Sequence, residues 1–254
     1  MTTPAEDKSS VMAIPAAASN TPLPTRLWRS LRRNPSLFFM PILLSASPGI
    51  TVAIHPQFSD FDLQSLAMGA LPLAFAAAAQ TAVVISGGLD LSIGSVIAVA
   101  NVLAASTMEK ASFGESLLLA AAVLVVGAAI GALNGLIVIL SRIPDVVATL
   151  TSGFIWGGVA LLILEKPGGG APQEFLNLGT GTLFTAWLPN ALVLLVAAVC
   201  VIWIPLRQSK LGLQLYAVGS DRVAAFRSGV NIDRTRFAAY IFSRVCSVRS
   251  AALA

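Results

Sequence analysis

Long uncharged apolar runs recur along the chain, separated by short segments that carry most of its charge. The runs are Leu37 to Ile54, Leu63 to Leu89, Leu91 to Met108, Ser116 to Leu140, Val146 to Leu164 and Leu188 to Leu206, interrupted inside by a single charge, Asp90, between the second and third. A hydrocarbon core of about 30 Å takes about 20 helical residues to cross. Apolar positions are continuous rather than alternating, with no ten-residue strand pattern, so the runs predict helices and not the strands of a barrel. The expected fold is all-α, a polytopic transmembrane helical bundle with a broken helix near residues 86–95.

Composition points the same way. Of 254 residues, 56% are hydrophobic and 11% charged, with a mean hydropathy of +0.82, whereas about a quarter of an ordinary soluble domain is charged. The net charge is +4, but the basic residues stand beside apolar spans, not on a soluble face with interleaved aromatics. They fit the positive-inside bias, with membrane lipid as the surroundings and no nucleic acid as partner. Cys200 and Cys246 fall in apolar segments without CxxC spacing and read as small core residues rather than as a disulfide or metal site. His55, the sole histidine, stands beside Pro56 in a short loop and reads as solvated. No metal cluster, catalytic dyad or cofactor motif is present.

Residues 1–36 are rich in Ala, Pro, Ser and Thr and become basic through Arg26, Arg29, Arg32 and Arg33. They read as a disordered cytoplasmic arm before a membrane domain at 37–254. A cleaved signal peptide is the weaker reading, because the polar arm is too long and no small-x-small site precedes a soluble domain. Counting Lys and Arg by loop orients the bundle: the arm carries five and residues 207–236 carry six, against none in 55–64 and only Lys166 in 165–187. Both basic segments are therefore expected on the cytoplasmic side. The crossings between them must be even in number, so residues 63–108 must cross twice or not at all. At about 1.5 Å per residue they reach roughly 65 Å, enough for two crossings. That predicts seven spans, the last beginning at Phe237.

The two crossings meet at "SGGLDLSIGS". Gly87, Gly88 and Gly94 permit dihedrals and close approaches that a regular helix does not need, so the backbone is expected to leave the helix and restart after Asp90. Asp90 then reads as an N-cap, accepting from the amides of Ser92 or Ile93 at the positive end of the new helix, worth on the order of 1 to 2 kcal/mol. A charge at a helix centre costs about 2.5 to 3.5 kcal/mol on insertion scales. Asp90 should therefore face protein or a watery cavity, either tying down the break or also contacting a polar substrate. Gly127, Gly131 and Gly135 stand four apart, as do Gly153 and Gly157, giving smooth stripes for close helix packing. Asn134, beside the first stripe, must find a partner or line a cavity.

"GGLDLSIGS" at 87–95, "GALNGLIV" at 131–138, "IPDVVATL" at 143–150 and "YAVGSDRVAAFRSGVNIDRTRFAAY" at 216–240 occur in this order. Together they resemble the membrane permease subunits of ribose-type sugar ABC importers, over about residues 35–243. The resemblance implies a bacterial inner-membrane subunit that pairs with a second permease copy or homologue, with cytoplasmic ATPase subunits and with a periplasmic solute-binding protein. The chain has no GxxxxGK[ST] loop and no large extramembrane region, so energy and specificity are expected from those partners. It is not expected to be an enzyme. Asp90, Ser92 and Asn134 are the candidates for lining the translocation path.

In such permeases a cytoplasmic loop carries a short helix with a Glu-Ala-Ala-x-x-x-Gly pattern that docks on the ATPase. Within the coupling loop 207–236, Ala224, Ala225 and Gly229 match that pattern, and Val223 replaces the glutamate. Arg222, Arg227, Arg234 and Arg236 are expected to pair with acidic groups on the partner's rim. After Ser243 the family continues with a small-residue apolar helix and further spans, whereas this chain reads "RVCSVRSAALA". Arg244 and Arg249 fall at hydrocarbon depth, each costing a few kcal/mol unless it snorkels, which reads as a truncated or frameshifted product, incomplete at its C-terminus. The alternatives are a transport-inactive fragment, or a permease for a nucleoside or branched-chain amino acid. A secondary transporter is weaker, since only Asp90 supplies an acid within the spans.

Overall fold

The computed structural model describes residues 36–54, 59–166, 168–181 and 189–251. The 1–36 arm, except for its last residue, and His55 lie outside the described residues. These form helices, with no strand among them, and divide into two units at residues 58 and 59.

The first unit contributes α1 (Ser36–Ile54), which holds Pro41 and Pro48 within it. Two of its hydroxyls bond back to its own backbone, Ser45 to the Ile42 carbonyl and Thr51 to the Ser47 carbonyl, each at 3.0 Å. In an apolar surrounding, such bonds leave no side-chain polar group seeking water.

The second unit comprises α2 (Asp60–Ile85), α3 (Ile93–Met108), α4 (Phe113–Ser141), α5 (Asp145–Ile163), α6 (Gln173–Thr180), α7 (Asn190–Gln208), α8 (Lys210–Ser220), α9 (Arg222–Arg227) and α10 (Ile232–Ala251). Of these, α2, α4, α5 and α7 are long and apolar enough to cross a membrane. α7 passes through a π-helical turn at Val199–Trp203. The N-terminus of α4 is closed by a capping box in which the Ser112 amide donates to Glu115 at 2.7 Å and the Glu115 amide to Ser112 Oγ, satisfying two amides that the first turn cannot.

Contacts sort the connections onto two ends. Gly87, Asp145, Arg222 and Arg236 meet at one, the break end. At the other, the Gly170 amide donates to the Ala105 carbonyl at 3.0 Å, the Asn190 amide to the Gly181 carbonyl at 2.9 Å, and Gln64 to the Thr180 carbonyl. α2 therefore runs to the break end and α3 returns, so residues 63–108 traverse the bundle twice. α6, an eight-residue helix at the distal end with Phe175 buried, has no counterpart in the predicted spans.

The exterior is apolar and the interior partly polar. Leu162, Phe154 and Leu118 are about three-quarters exposed, at 79%, 75% and 74%, while Asp90, Ser92, Asn134, Thr149 and Arg244 are buried. Water would not tolerate that arrangement over such an area; hydrocarbon requires it.

α10 sits at the centre, packed mainly on α4 and α2 and then on α3. The α4 glycine stripe makes room for it. A Cβ at Gly131 would stand 2.6 Å from Arg244 Cγ and 2.9 Å from the Tyr240 carbonyl, one at Gly135 would stand 3.2 Å from Phe237, and one at Gly127 would overlap Val248. The α5 stripe receives α3 in the same way, Gly153 against Ser92 and Gly157 towards Ser95.

Two boundaries and one burial differ from expectation. The break closes at Ser92 and α3 starts at Ile93, so Gly94 is an ordinary helical residue with open space where its Cβ would be. The last long helix begins at Ile232 rather than Phe237, because Asn231 Oδ1 accepts the Arg234 amide at 3.0 Å and starts the helix there. Cys200 is exposed on α7 while Cys246 is buried, so only the second belongs to the core.

Candidate functional site

The site is the unwound segment at residues 86–92 and what surrounds it. α2 ends because Gly87 adopts φ +76. The Gly88 amide then reaches the Val83 carbonyl at 3.1 Å and the Gly87 amide the Val84 carbonyl at 2.9 Å, the paired bonds of a Schellman motif that only a left-handed residue allows. Ser86 is buried and donates its hydroxyl to the Val83 carbonyl at 2.7 Å.

Beyond the motif the chain is irregular as far as Ser92, and burial alternates along it. Leu89 and Leu91 are exposed, whereas Gly88, Asp90 and Ser92 turn inward. The free Leu91 amide donates to Thr149 Oγ1 at 3.1 Å, and that hydroxyl donates to the Asp145 carbonyl at 2.8 Å. Thr149 on α5 thus replaces the helical bond that the break removed.

Asp90 does not occupy the cap position, which falls to Ser92. Its Oδ1 accepts the Ser92 amide at 3.0 Å and the Ser92 hydroxyl at 2.8 Å. Its Oδ2 pairs with the Arg244 guanidinium, both side chains being wholly inaccessible. Ser92 Oγ also accepts from Arg244 Nη2 at 2.6 Å and from Asn134 Nδ2 at 2.8 Å. One hydroxyl therefore joins α10, α4 and the break, with its single proton committed to Asp90 and both lone pairs occupied. Arg244 does not snorkel as expected; a partner carboxylate lies within reach, and pairing is how a charge persists out of water. Arg249 by contrast is exposed.

Asp90, Ser92 and Asn134 are thus brought together. Asn134 lies seven residues before the end of α4, placing the cluster about 10 Å inside the break end. Reasoning from the sequence missed the residues facing them: Thr149, Asp145, Arg236, Tyr240 and Arg244. On α10, Arg236, Tyr240 and Arg244 recur at intervals of four and form one stripe. Arg236 pairs with Asp145, Tyr240 Oη lies 3.5 Å from the Leu89 carbonyl, and Arg244 pairs with Asp90. Polar residues at helical spacing in the final run were the available signal.

The α9 region lies at the same end. Asp221 caps α9 by accepting the amides of Val223 at 2.8 Å and Ala224 at 3.0 Å. Gly229, at φ +81, ends it in a second Schellman motif, with the Val230 amide on the Ala225 carbonyl and the Gly229 amide on the Phe226 carbonyl, each at 3.0 Å. Ala225 is buried; Ala224, Arg227, Val223 and Phe226 are exposed. Of the arginines expected to face a partner, Arg222, Arg227 and Arg234 are exposed. Arg236 is consumed by Asp145 and Arg222 donates to the Gly87 carbonyl at 3.2 Å, since both lie where the chain folds back on the break.

Apolar outer faces around a buried polar cluster define a multi-pass membrane protein. The chain belongs to the family described as branched-chain amino acid transport system / permease component, whose model matches residues 63–254. Similar proteins include the inner membrane ABC transporter permease protein YjfF of Escherichia coli K12, 35% identical over 178 residues (67% of this chain, 52% of that protein). The galactofuranose transporter permease protein YtfT of the same organism is 33% identical over 179 residues (70% and 51%). The autoinducer 2 import system permease protein LsrD of Yersinia pestis Pestoides F is 31% identical over 204 residues (77% and 58%). The chain spans about half the length of the curated relatives it matches. No solved structure matches it.

Proposed function

We propose that the chain is the transmembrane permease subunit of an ATP-driven importer for a monosaccharide or similar small polar solute. It sits in the bacterial inner membrane with its N-terminus and break end cytoplasmic. Residues 37–254 form the permease domain, and the loop 207–236 couples it to cytoplasmic ATPase subunits. A second permease subunit, identical or homologous, completes the path, and a periplasmic solute-binding protein delivers the solute. The chain itself hydrolyses nothing.

The observation that carries this reading is α9: a short helix capped at both ends, presenting Val223, Ala224, Phe226 and Arg227 outward at the end of the bundle that holds the break. Small and apolar residues beside a cation suit insertion into a groove with an acidic rim. Val223 in place of glutamate removes one contact from that docking and leaves the helix, since Asp221 supplies the cap.

Asp90, Ser92 and Asn134 shape the path. The Ser92 hydroxyl and the Asp90 carboxylate are engaged within the cluster, so these residues act by bracing the break, and the names of the similar proteins support a sugar-like cargo. The family description supports a second reading, a branched-chain amino acid. Reconstitution of the chain with the ATPase and binding protein encoded beside it decides between them. ATP hydrolysis stimulated by the sugar-loaded binding protein is expected; stimulation by branched-chain amino acids alone selects the second reading. Labelling of residues 207–236 from the external face overturns both.

A further inference from the structure

Arg222 opens α9 and, though exposed, reaches back to the break. Its Nη2 donates to the Gly87 carbonyl, just past the end of α2, where helix carbonyls carry partial negative charge and a cation is favoured. A second contact is independent of the first. Gly219, at the end of α8, lies so close to the break that a Cβ there would overlap the Ile85 carbonyl oxygen and stand 2.9 Å from its carbon and 3.4 Å from the Gly87 nitrogen. A Cβ on Gly87 would in turn meet Gly219 Cα and Arg222 Nη2, each at 3.7 Å. Backbone therefore rests on backbone where the α8–α9 elbow meets the break, and one guanidinium pins the junction.

From Gly87 the chain reaches the buried cluster in three residues. Gly88 abuts Asp145, whose Oδ2 would be 2.8 Å from an added Cβ; Leu89 offers its carbonyl to Tyr240; Asp90 holds Arg244. The segment lies outside any helix and thus lacks the helical bonds that would absorb a displacement locally. Thr149 and α10 hold its far side.

We propose that Arg222 is a positioning residue rather than a docking one: it ties α9 to residues 86–92, so that a cytosolic partner seated on α9 sets the geometry of the Asp90–Ser92–Asn134–Arg244 cluster. This rests on the reading of α9 as the docking helix. It assigns Arg222 a role opposite to that of Arg227, which stays on the exposed face.

Hydrogen exchange on the full chain in lipid nanodiscs tests the tie without any partner. In Arg222→Ala, amides in 86–92 are expected to exchange about tenfold faster, the change in opening equilibrium that loss of a charge-assisted hydrogen bond produces, while those of α5 stay unchanged. Arg222→Lys restores much of the protection, which a purely space-filling role would not predict. Gly219→Ala, which prises the elbow from the break and leaves Arg222 intact, is expected to loosen the same amides. In complex with the ATPase, Arg222→Ala is expected to lower the ratio of solute-stimulated to basal hydrolysis by about fivefold or more without loss of capture. Unchanged exchange at 86–92 in both variants, or an unchanged ratio in a captured complex, overturns the proposal alone. A wild-type chain that captures no ATPase overturns the docking reading and the proposal's partner with it.

Discussion

Asp90 and Arg244 stand 154 positions apart in the chain and meet as an ion pair whose side chains are both fully withdrawn from the surface. The pair joins the break between α2 and α3 to the centre of α10, and it settles how a helix with four arginines lies inside an apolar bundle. Each charge is tolerable only because of the other.

Removing one partner should therefore be worse than removing both. Arg244→Met leaves a buried carboxylate unpaired and is expected to destabilise the fold by about 3 to 5 kcal/mol. Asp90→Asn leaves the guanidinium in the same position and should be comparably harmful. The double variant is expected to recover a large part of the loss. Modification of the buried Cys246 thiol in a Cys200→Ser background, followed as denaturant is added, reads the stability of all three. Additive losses in the double variant would show that the two groups act independently.

Asn134 donates to Ser92 Oγ from a buried position on α4. Asn134→Ala deletes that bond while Arg244 keeps the hydroxyl engaged, so the expected loss is about 1 kcal/mol, well below that of breaking the ion pair. The same thiol-protection assay measures it, and a loss equal to that of Arg244→Met would mean that Ser92 is held chiefly by Asn134.

The glycines divide by what surrounds them. Gly131→Ala pushes a methyl group into Arg244 Cγ and the Tyr240 carbonyl and is expected to cost about 1 to 3 kcal/mol. Gly94→Ala, helical and facing open space, should be neutral or stabilise by up to about 1 kcal/mol. Equal sensitivity of the two positions in expression and thermal stability in detergent would contradict this packing.

Gly229 has nothing within 4 Å of an added Cβ, but its φ is +81. Gly229→Ala is therefore a backbone test without steric interference, expected to cost about 1 to 2 kcal/mol locally. Exchange at the amides of Gly229 and Val230 should accelerate, and capture of the ATPase should weaken, while protection in α4 is unaffected. Gly229→Asn, better suited to the left-handed region, should fall between wild type and the alanine variant.

Much of the frame was legible along the chain. Uncharged runs of sufficient length name the helices, because hydrocarbon thickness and helical rise leave little choice. The even number of crossings between two basic segments left residues 63–108 to cross twice or not at all, their length favoured two crossings, and α2 and α3 traverse the bundle twice. The charge on Asp90 already required it to face protein or a watery cavity, and it turns inward. Gly87 marked the place where α2 leaves the helix.

What the order of residues left open was which elements meet. Arg244 read as a charge in the wrong medium and Arg236 as a docking charge, because their partners, Asp90 and Asp145, lie in other elements and an ion pair is a property of positions in space. Arg222 and Arg227 are alike in sequence, five apart on one short element and both exposed, yet Arg222 also bonds to the break at Gly87. Hydrophobicity is summed along a segment and so is written in the sequence. The pairing of buried charges depends on which helix the glycine stripe of α4 admits to the centre, and only the packed bundle decides that.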